Sequence, residues 1–187
     1  MIIGLTGSYC SGKDTVAEYI VTHYGFSHFS LSDEIRLLMR QAGIEPTREN
    51  LIAFGTNLRQ NEGNDVLAKS VIKRFETDTN YCITSIRHSK EVERLRTIKN
   101  FVLINVDAPE EIRFERMQIR KRAGDPATLE KFIELEKKES QVSGSGQQVA
   151  LCASMADIVF INDADSLINL YSKIDVLLSD LKSKYHE

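Results

Sequence analysis

The sequence predicts an α/β domain built on a five-stranded parallel sheet, and three observations carry the prediction. Short runs rich in Val, Ile, Phe and Tyr alternate with longer helical patterns, as parallel strands joined by crossover helices do. The first such run ends in a glycine-rich turn, Gly7-x-x-x-x-Gly12-Lys13, the spacing of a phosphate-binding loop. A length of 187 residues, with 42% apolar and 27% charged residues, suits one globular domain.

The strands are expected at Ile2–Thr6, Phe26–Ser30, Tyr81–Ser85, Phe101–Val106 and Asp157–Ile161. Each is short and apolar, as strands buried on both faces tend to be. Helices are expected between them. Lys13–Tyr24 follows the loop and stops at Gly25. Asp33–Ala42, Thr47–Asn61 and Asp65–Thr77 fill the long interval before the third strand. Ser89–Lys99 reads as a charged, solvent-facing helix. Pro109 opens another that runs to about Arg122, where Gly124-Asp125-Pro126 breaks it. Thr128–Ser140 follows, then a flexible Ser143-Gly144-Ser145-Gly146. The last helix, Ser166–Lys184, carries Leu167, Leu170, Ile174, Leu177, Leu178 and Leu181 on one side. The two intervals too long for simple crossovers are expected to build an acceptor-side insertion, about 33–78, and a lid, about 113–147, within a single domain.

The bulk properties exclude several classes. A net charge of −3 and 7% aromatic residues give no basis for nucleic-acid binding. Three scattered cysteines, Cys10, Cys82 and Cys152, give neither a metal spacing nor a disulfide framework. The N-terminal apolar run is too short for a signal peptide, and no run approaches a membrane span. A cytoplasmic protein without membrane partners is expected.

The chemistry is expected at the loop and at the carboxyl ends of the strands. In Gly7-Ser8-Tyr9-Cys10-Ser11-Gly12-Lys13-Asp14-Thr15, glycines let backbone N–H groups turn onto an anion. The helix N-terminus adds positive potential, and Lys13 supplies a mobile charge. The residue after the lysine is ordinarily Ser or Thr, a Mg²⁺ ligand; here it is Asp14, with Thr15 next, so either is the candidate metal contact. After the second strand stand Asp33 and Arg36: a helix cap and a surface charge, or a carboxylate for metal or base chemistry with a phosphate-binding partner. After the third strand, Arg87 is placed to fork onto a second phosphate, and His88 reads as a surface loop residue. After the fourth, Arg113, Arg116 and Arg120 share one side of a helix. Arg116 and Arg120 are the phosphate-directed candidates, and Arg113 reads as surface. After the fifth, Asn162 is a turn residue whose backbone is available to a base.

Together these residues resemble the adenylate-kinase-like, or nucleoside monophosphate, kinases over nearly the whole chain. Ser32-Asp33-Glu34-Ile35-Arg36 is similar to that superfamily's motif after the second strand, and Thr84-Ser85-Ile86-Arg87 partly matches the one after the third. Val106-Asp107-Ala108-Pro109 and Arg116-x-x-x-Arg120 are similar to the entry into the lid. Ala156-Asp157-Ile158-Val159-Phe160-Ile161-Asn162-Asp163 resembles the last strand of dephospho-CoA kinases and of a related archaeal kinase-like family. Gly12-Lys13-Asp14-Thr15 is similar to the loop of phage deoxynucleoside monophosphate kinases. The resemblance implies a three-layer P-loop NTPase fold that uses ATP and Mg²⁺, with Arg36 and Arg87 on the acceptor's phosphate. It further implies Arg116 beside the donor base, and Lys13, Arg120 and Asp33 as catalytic groups. Thr84 stands where many relatives carry an acid, which departs from their Mg²⁺ arrangement.

The expected activity is transfer of the ATP γ-phosphoryl group to a small phosphate acceptor, a nucleoside or deoxynucleoside monophosphate, by a monomer or homodimer. The alternatives are a dephospho-CoA kinase-like enzyme and a nucleotide-binding switch without kinase activity. No Asn-Lys-x-Asp guanine signature occurs, which argues against a GTPase.

Overall fold

A computed structural model describes residues 1–121, 125–140 and 146–185. Strand β1 (Ile2–Thr6) lies at the centre of a five-stranded, wholly parallel sheet. Its neighbours are β3 (Tyr81–Thr84) and β4 (Phe101–Asp107), with β2 (Ser27–Ser30) and β5 (Ile158–Ile161) at the edges, in the order β2-β3-β1-β4-β5. The register aligns Gly4 with Ile83 on one side and with Leu103 on the other. Because the chain leaves β1 between β3 and β4, the crevice at the strands' carboxyl ends opens where the glycine-rich turn emerges.

Side-chain alternation sorts the strands into two cores. Ile3, Leu5, Cys82, Val102, Ile104 and Val106 face helices α1 (Lys13–Tyr24) and α9 (Leu167–Tyr185). Ile2, Tyr81, Ile83 and Leu103 face α2 (Leu31–Gln41), α4 (Val66–Ile72), α5 (Ser89–Leu95) and α8 (Val149–Ser154). The result is the expected three-layer P-loop arrangement. Helix α3 (Arg48–Glu62) packs on α2 and α4 in the long interval before β3. Helices α6 (Glu110–Arg120) and α7 (Leu129–Ser140) follow β4 and pack on each other.

Helix α1 has the expected bounds, and Gly25 closes it with φ 69° and its N–H on the Val21 carbonyl. Several expectations change. The edge strands are not buried on both faces: Ser27 and His28 are exposed in β2, and Val159 and Ile161 in β5. Position in the sheet, not composition, decides this. Helix α2 starts earlier than expected, with Ser30 at its N-cap, so Asp33 lies inside the first turn and is not a cap. Helix α5 ends at Leu95 and is not solvent-facing: Glu91, Val92 and Leu95 are buried. Leu167 is exposed rather than packed with Leu170, Ile174, Leu178 and Leu181. Helix α8 went unanticipated. Arg122, Gly124 and Ser143-Gly144-Ser145 lie outside the described residues.

Candidate active site

The loop between β1 and α1 is shaped by contacts that only glycine allows. Gly7 has φ 139°, and a Cβ there would collide with the Val106 carbonyl oxygen of β4. Gly12 has φ 89°, caps α1, and a Cβ there would strike the Asn162 side chain. Cys10, between them, also takes a positive φ of 58°. The Lys13 ammonium folds back over the loop, donating to the Ser8 carbonyl oxygen at 2.6 Å and the Ser11 hydroxyl at 3.3 Å. Burial, then the nearby Arg87 charge, pushes the Lys13 pKa down to about 8, partly opposed by Asp14. That is the environment of a lysine waiting for an anion.

Asn162 is not a simple turn residue. It is buried, and its side-chain amide donates to the Ser11 carbonyl oxygen at 2.8 Å. Arg116 donates to the same carbonyl at 3.3 Å and to the Asn162 backbone oxygen at 3.1 Å. Asn162 and Arg116 thus brace the loop from the β5 side. Arg113 is buried rather than on the surface. It holds the Ala108 carbonyl oxygen at 2.8 Å, reaches the Tyr9 carbonyl, and pairs with Glu136 of α7. Arg120 lies over the Tyr9 ring, 4.8 Å from its centroid, hydrogen-bonded to the Tyr9 hydroxyl and to Asp125. Burial lowers the Arg120 pKa, but the Tyr9 contact and the charges around it raise it on balance.

On the other side of the loop, Asp33 and Arg36 form an exposed ion pair at 2.6 Å, and Arg36 also donates to the Ser32 hydroxyl at 3.0 Å. Ser32 and Ser30 converge on the hydroxyl of Ser85, whose φ of 61° marks a strained turn after β3. Arg87 donates to the Gln147 side chain at 3.0 Å. His88 is buried, not on the surface, and its Nδ1 accepts the Lys90 N–H at the start of α5.

Three cavities meet here. One of about 260 Å³ lies between Gly7, Ser8, Lys13, Arg87 and helices α7 and α8. A second of about 380 Å³ is bounded by Tyr9, Arg36, Arg59, Arg87, Asp125 and the apolar side chains of α2 and α3. A third, of about 500 Å³, brings Asp14, Asp33, Arg36, Thr84 and Arg87 together. Thr15 is half-buried and does not line it. The acidic donors there are carboxylate oxygens only, which suits a hard cation such as Mg²⁺. Among the described residues no group of three or more His, Cys, Asp or Glu side chains forms a metal cage. Thr84, at the position of the relatives' acid, hydrogen-bonds His28 at 2.9 Å.

Ser85, Arg59, Gln147 and Gln148 escaped the sequence reading. Serines and glutamines carry no motif, and Arg59 sits in an ordinary helical pattern. The positive φ of Ser85, the burial of Arg59 and the contacts of Gln147 with Arg87 and of Gln148 with Ser89 exist only after folding.

A β-strand, glycine loop and helix with convergent arginines on this sheet order define a P-loop protein of kinase-like fold. The chain belongs to the family whose model, described as an AAA domain, matches residues 6–133, and to the group of proteins named UPF0200. A UPF0200 protein of Methanothrix thermoacetophila is 31% identical over 181 residues, covering 96% of this chain and 97% of that protein. One from Pyrococcus abyssi is 31% identical and covers both chains completely. Against a UPF0200/UPF0201 protein of Archaeoglobus fulgidus, 33% identical, the match covers 74% of this chain but 44% of that protein, so this chain spans less than half its length. Among solved structures, a shikimate kinase from Bacteroides thetaiotaomicron superposes with a TM-score of 0.62 at 16% identity, over 97% of this chain and 98% of the other. A gluconokinase from Sinorhizobium meliloti gives 0.55 at 14%, over 98% and 94%. At these identities the likeness is one of fold. That fold is the α/β P-loop kinase-like one the sequence predicts. No helix among the described residues is long and apolar enough to cross a membrane.

Proposed function

We propose that the protein is a small-molecule kinase that transfers the γ-phosphoryl group of ATP to a nucleoside or deoxynucleoside monophosphate. One observation carries the reading: Arg87 borders both the cavity holding Lys13 and the phosphate loop and the cavity holding Arg36. A guanidinium shared between a donor-phosphate site and a second cationic pocket is what transfer between two phosphorylated substrates requires.

In this reading residues of about 33–78 form the acceptor insertion and those of about 113–147 the lid. Backbone N–H groups of Gly7–Thr15, with Lys13, hold the donor phosphates. Arg116 and Asn162 keep that loop in shape beside the donor base. The exposed Asp33–Arg36 pair is a weak tie, about 0–1 kcal/mol, so Arg36 turns readily to an acceptor phosphate. Asp33 then orients the acceptor. Lys13 and Arg120 neutralise the charge on the transferred group. Asp14 or Thr15 would hold Mg²⁺, with Asp33 on the water bound to it, and the ion would supply positive charge to offset the phosphates. The setting is the cytoplasm, with a small-molecule partner and a monomer or homodimer.

The test is a panel of nucleotides and CoA precursors with labelled ATP. Arg36→Ala is expected to abolish acceptor binding and to leave ATP affinity nearly unchanged, while Arg87→Ala, which borders both cavities, is expected to weaken both. No transfer to any acceptor, or acceptor and ATP affinities both unchanged in Arg36→Ala and Arg87→Ala, sinks the reading and leaves a nucleotide switch. One feature favours a second acceptor class: the 260 Å³ cavity beside Arg87 combines apolar side chains of Ile86, Ile133 and Val149 with the polar groups of Glu136, Lys137 and Gln147. That mixed lining suits the amide-bearing arm of a dephospho-CoA-like acceptor, and turnover confined to CoA precursors would select it.

A further inference from the structure

Arg59 and Glu91 form a buried ion pair far apart in sequence, and Glu91 also closes the capping box of α5 with His88. Their side chains are 4% and 0% exposed. One carboxylate oxygen of Glu91 accepts from Arg59 Nε at 3.2 Å and Nη2 at 2.9 Å. The other accepts two backbone N–H groups, of Arg87 at 2.9 Å and His88 at 3.0 Å. Four donors therefore converge on one carboxylate. Such a pair adds little net stability, because desolvation offsets most of its attraction. What this one does is geometric: it ties helix α3, which walls the acceptor cavity with Leu51 and Ile52, to the peptide that carries Arg87.

Two neighbours support that reading. Gly55, one turn before Arg59, leaves the path open. A Cβ there would sit 2.9 Å from Ile35 Cδ1 and 3.5 Å from Arg59 Nη1. The carbonyl side of Arg87 is held separately, by the Gln148 N–H at 2.6 Å, and its guanidinium by Gln147. The Arg87 backbone is thus gripped by α3 through Glu91 on one side and by the return from the lid on the other.

We propose that Arg59 and Glu91 are positioning residues that set Arg87 against the acceptor phosphate, coupling the position of α3 to the phosphate-binding guanidinium; this rests on the acceptor reading above. The test uses the full-length protein and two readouts. The first is amide exchange at Arg87 and His88. Arg59→Met, which touches neither residue, is expected to speed exchange there at least several-fold, relative to amides of β1 and β4. The second is the Arg87 Nε–H resonance titrated with inorganic phosphate, assigned by its loss in Arg87→Lys. Arg59→Met and Glu91→Gln are expected to raise the phosphate Kd about tenfold, the scale of one charge-assisted contact, while the Kd of a fluorescent ATP analogue moves less than twofold. Single variants leave a buried charge and lose stability. The double variant Arg59→Met/Glu91→Gln removes both charges and is expected to recover the melting temperature without recovering phosphate affinity. Unchanged amide exchange in Arg59→Met, or wild-type phosphate affinity in the double variant, overturns the proposal. If phosphate leaves wild-type Arg87 unmoved, the acceptor reading fails instead, and the exchange arm alone decides the positioning role.

Discussion

At the scale of single residues, the loop works by what is missing and what is buried. Gly7 and Gly12 exist because Val106 and Asn162 occupy the space a side chain would need. Asn162→Ala removes the amide that holds the Ser11 carbonyl and leaves that oxygen with Arg116 only. A loss of about 1–3 kcal/mol in stability is expected, with weaker ATP binding, read by thermal denaturation and fluorescence titration. Lys13 sets a pH dependence. Its pKa near 8 belongs to the protein without ligand, where burial and Arg87 disfavour the charge. Phosphate beside it favours the charge, so binding takes up a proton above pH 8. ATP affinity is expected to be flat below about pH 8 and to fall as pH rises beyond it. In Lys13→Met the affinity is lower and this decline is absent. A wild-type affinity constant up to pH 9.5 would contradict this role for the lysine.

At the scale of elements, α6 and α7 are seated on the loop by a tyrosine the sequence offered only as a loop residue. The Tyr9 ring meets Phe132 of α7 at 6.3 Å, while its hydroxyl accepts from Arg120 and donates to Asp125 at 3.1 Å. Burial raises the Tyr9 pKa against the pull of Arg120, so the hydroxyl stays protonated as a donor. Tyr9→Phe keeps the ring and loses both polar contacts. Hydrogen exchange in α7 is expected to rise about fivefold, the effect of roughly 1 kcal/mol, with the strands unaffected. The Arg113–Glu136 pair, buried at Arg113 and half-buried at Glu136, joins α6 to α7 more firmly. Arg113→Ala leaves the Glu136 charge without that partner, and a loss of about 1–3 kcal/mol is expected in chemical denaturation.

At the scale of the whole molecule, a five-stranded parallel sheet between two helical layers forms a platform, and the loop, its arginines and Asp33 stand on one rim of it. Ligand at that rim stabilises the folded state by mass action. Mg²⁺–ATP at about a hundred times its Kd is expected to add about 2.7 kcal/mol and to raise the melting temperature by about 5–10 °C. At the same concentration Lys13→Met is expected to show little of that rise.

The sheet, the loop and the span of α1 were legible because local signals and tertiary demands agree there: β-branched runs, glycine punctuation and helical periodicity point the same way. The sequence by itself determined that a phosphate loop opens the chain and that arginines follow the later strands. Folding decided how those arginines are used. Arg113, Arg116 and Arg120 share one helical side, yet one is buried on Glu136, one braces the loop and one lies on Tyr9. Glu91 and His88 read as solvent-facing because their immediate neighbours are charged, and they are buried because α4 and α8 pack over α5 and Arg59 of α3 reaches in to Glu91. Periodicity reports which side of a helix a residue occupies. What lies against that side is fixed only when the long intervals fold back over the sheet.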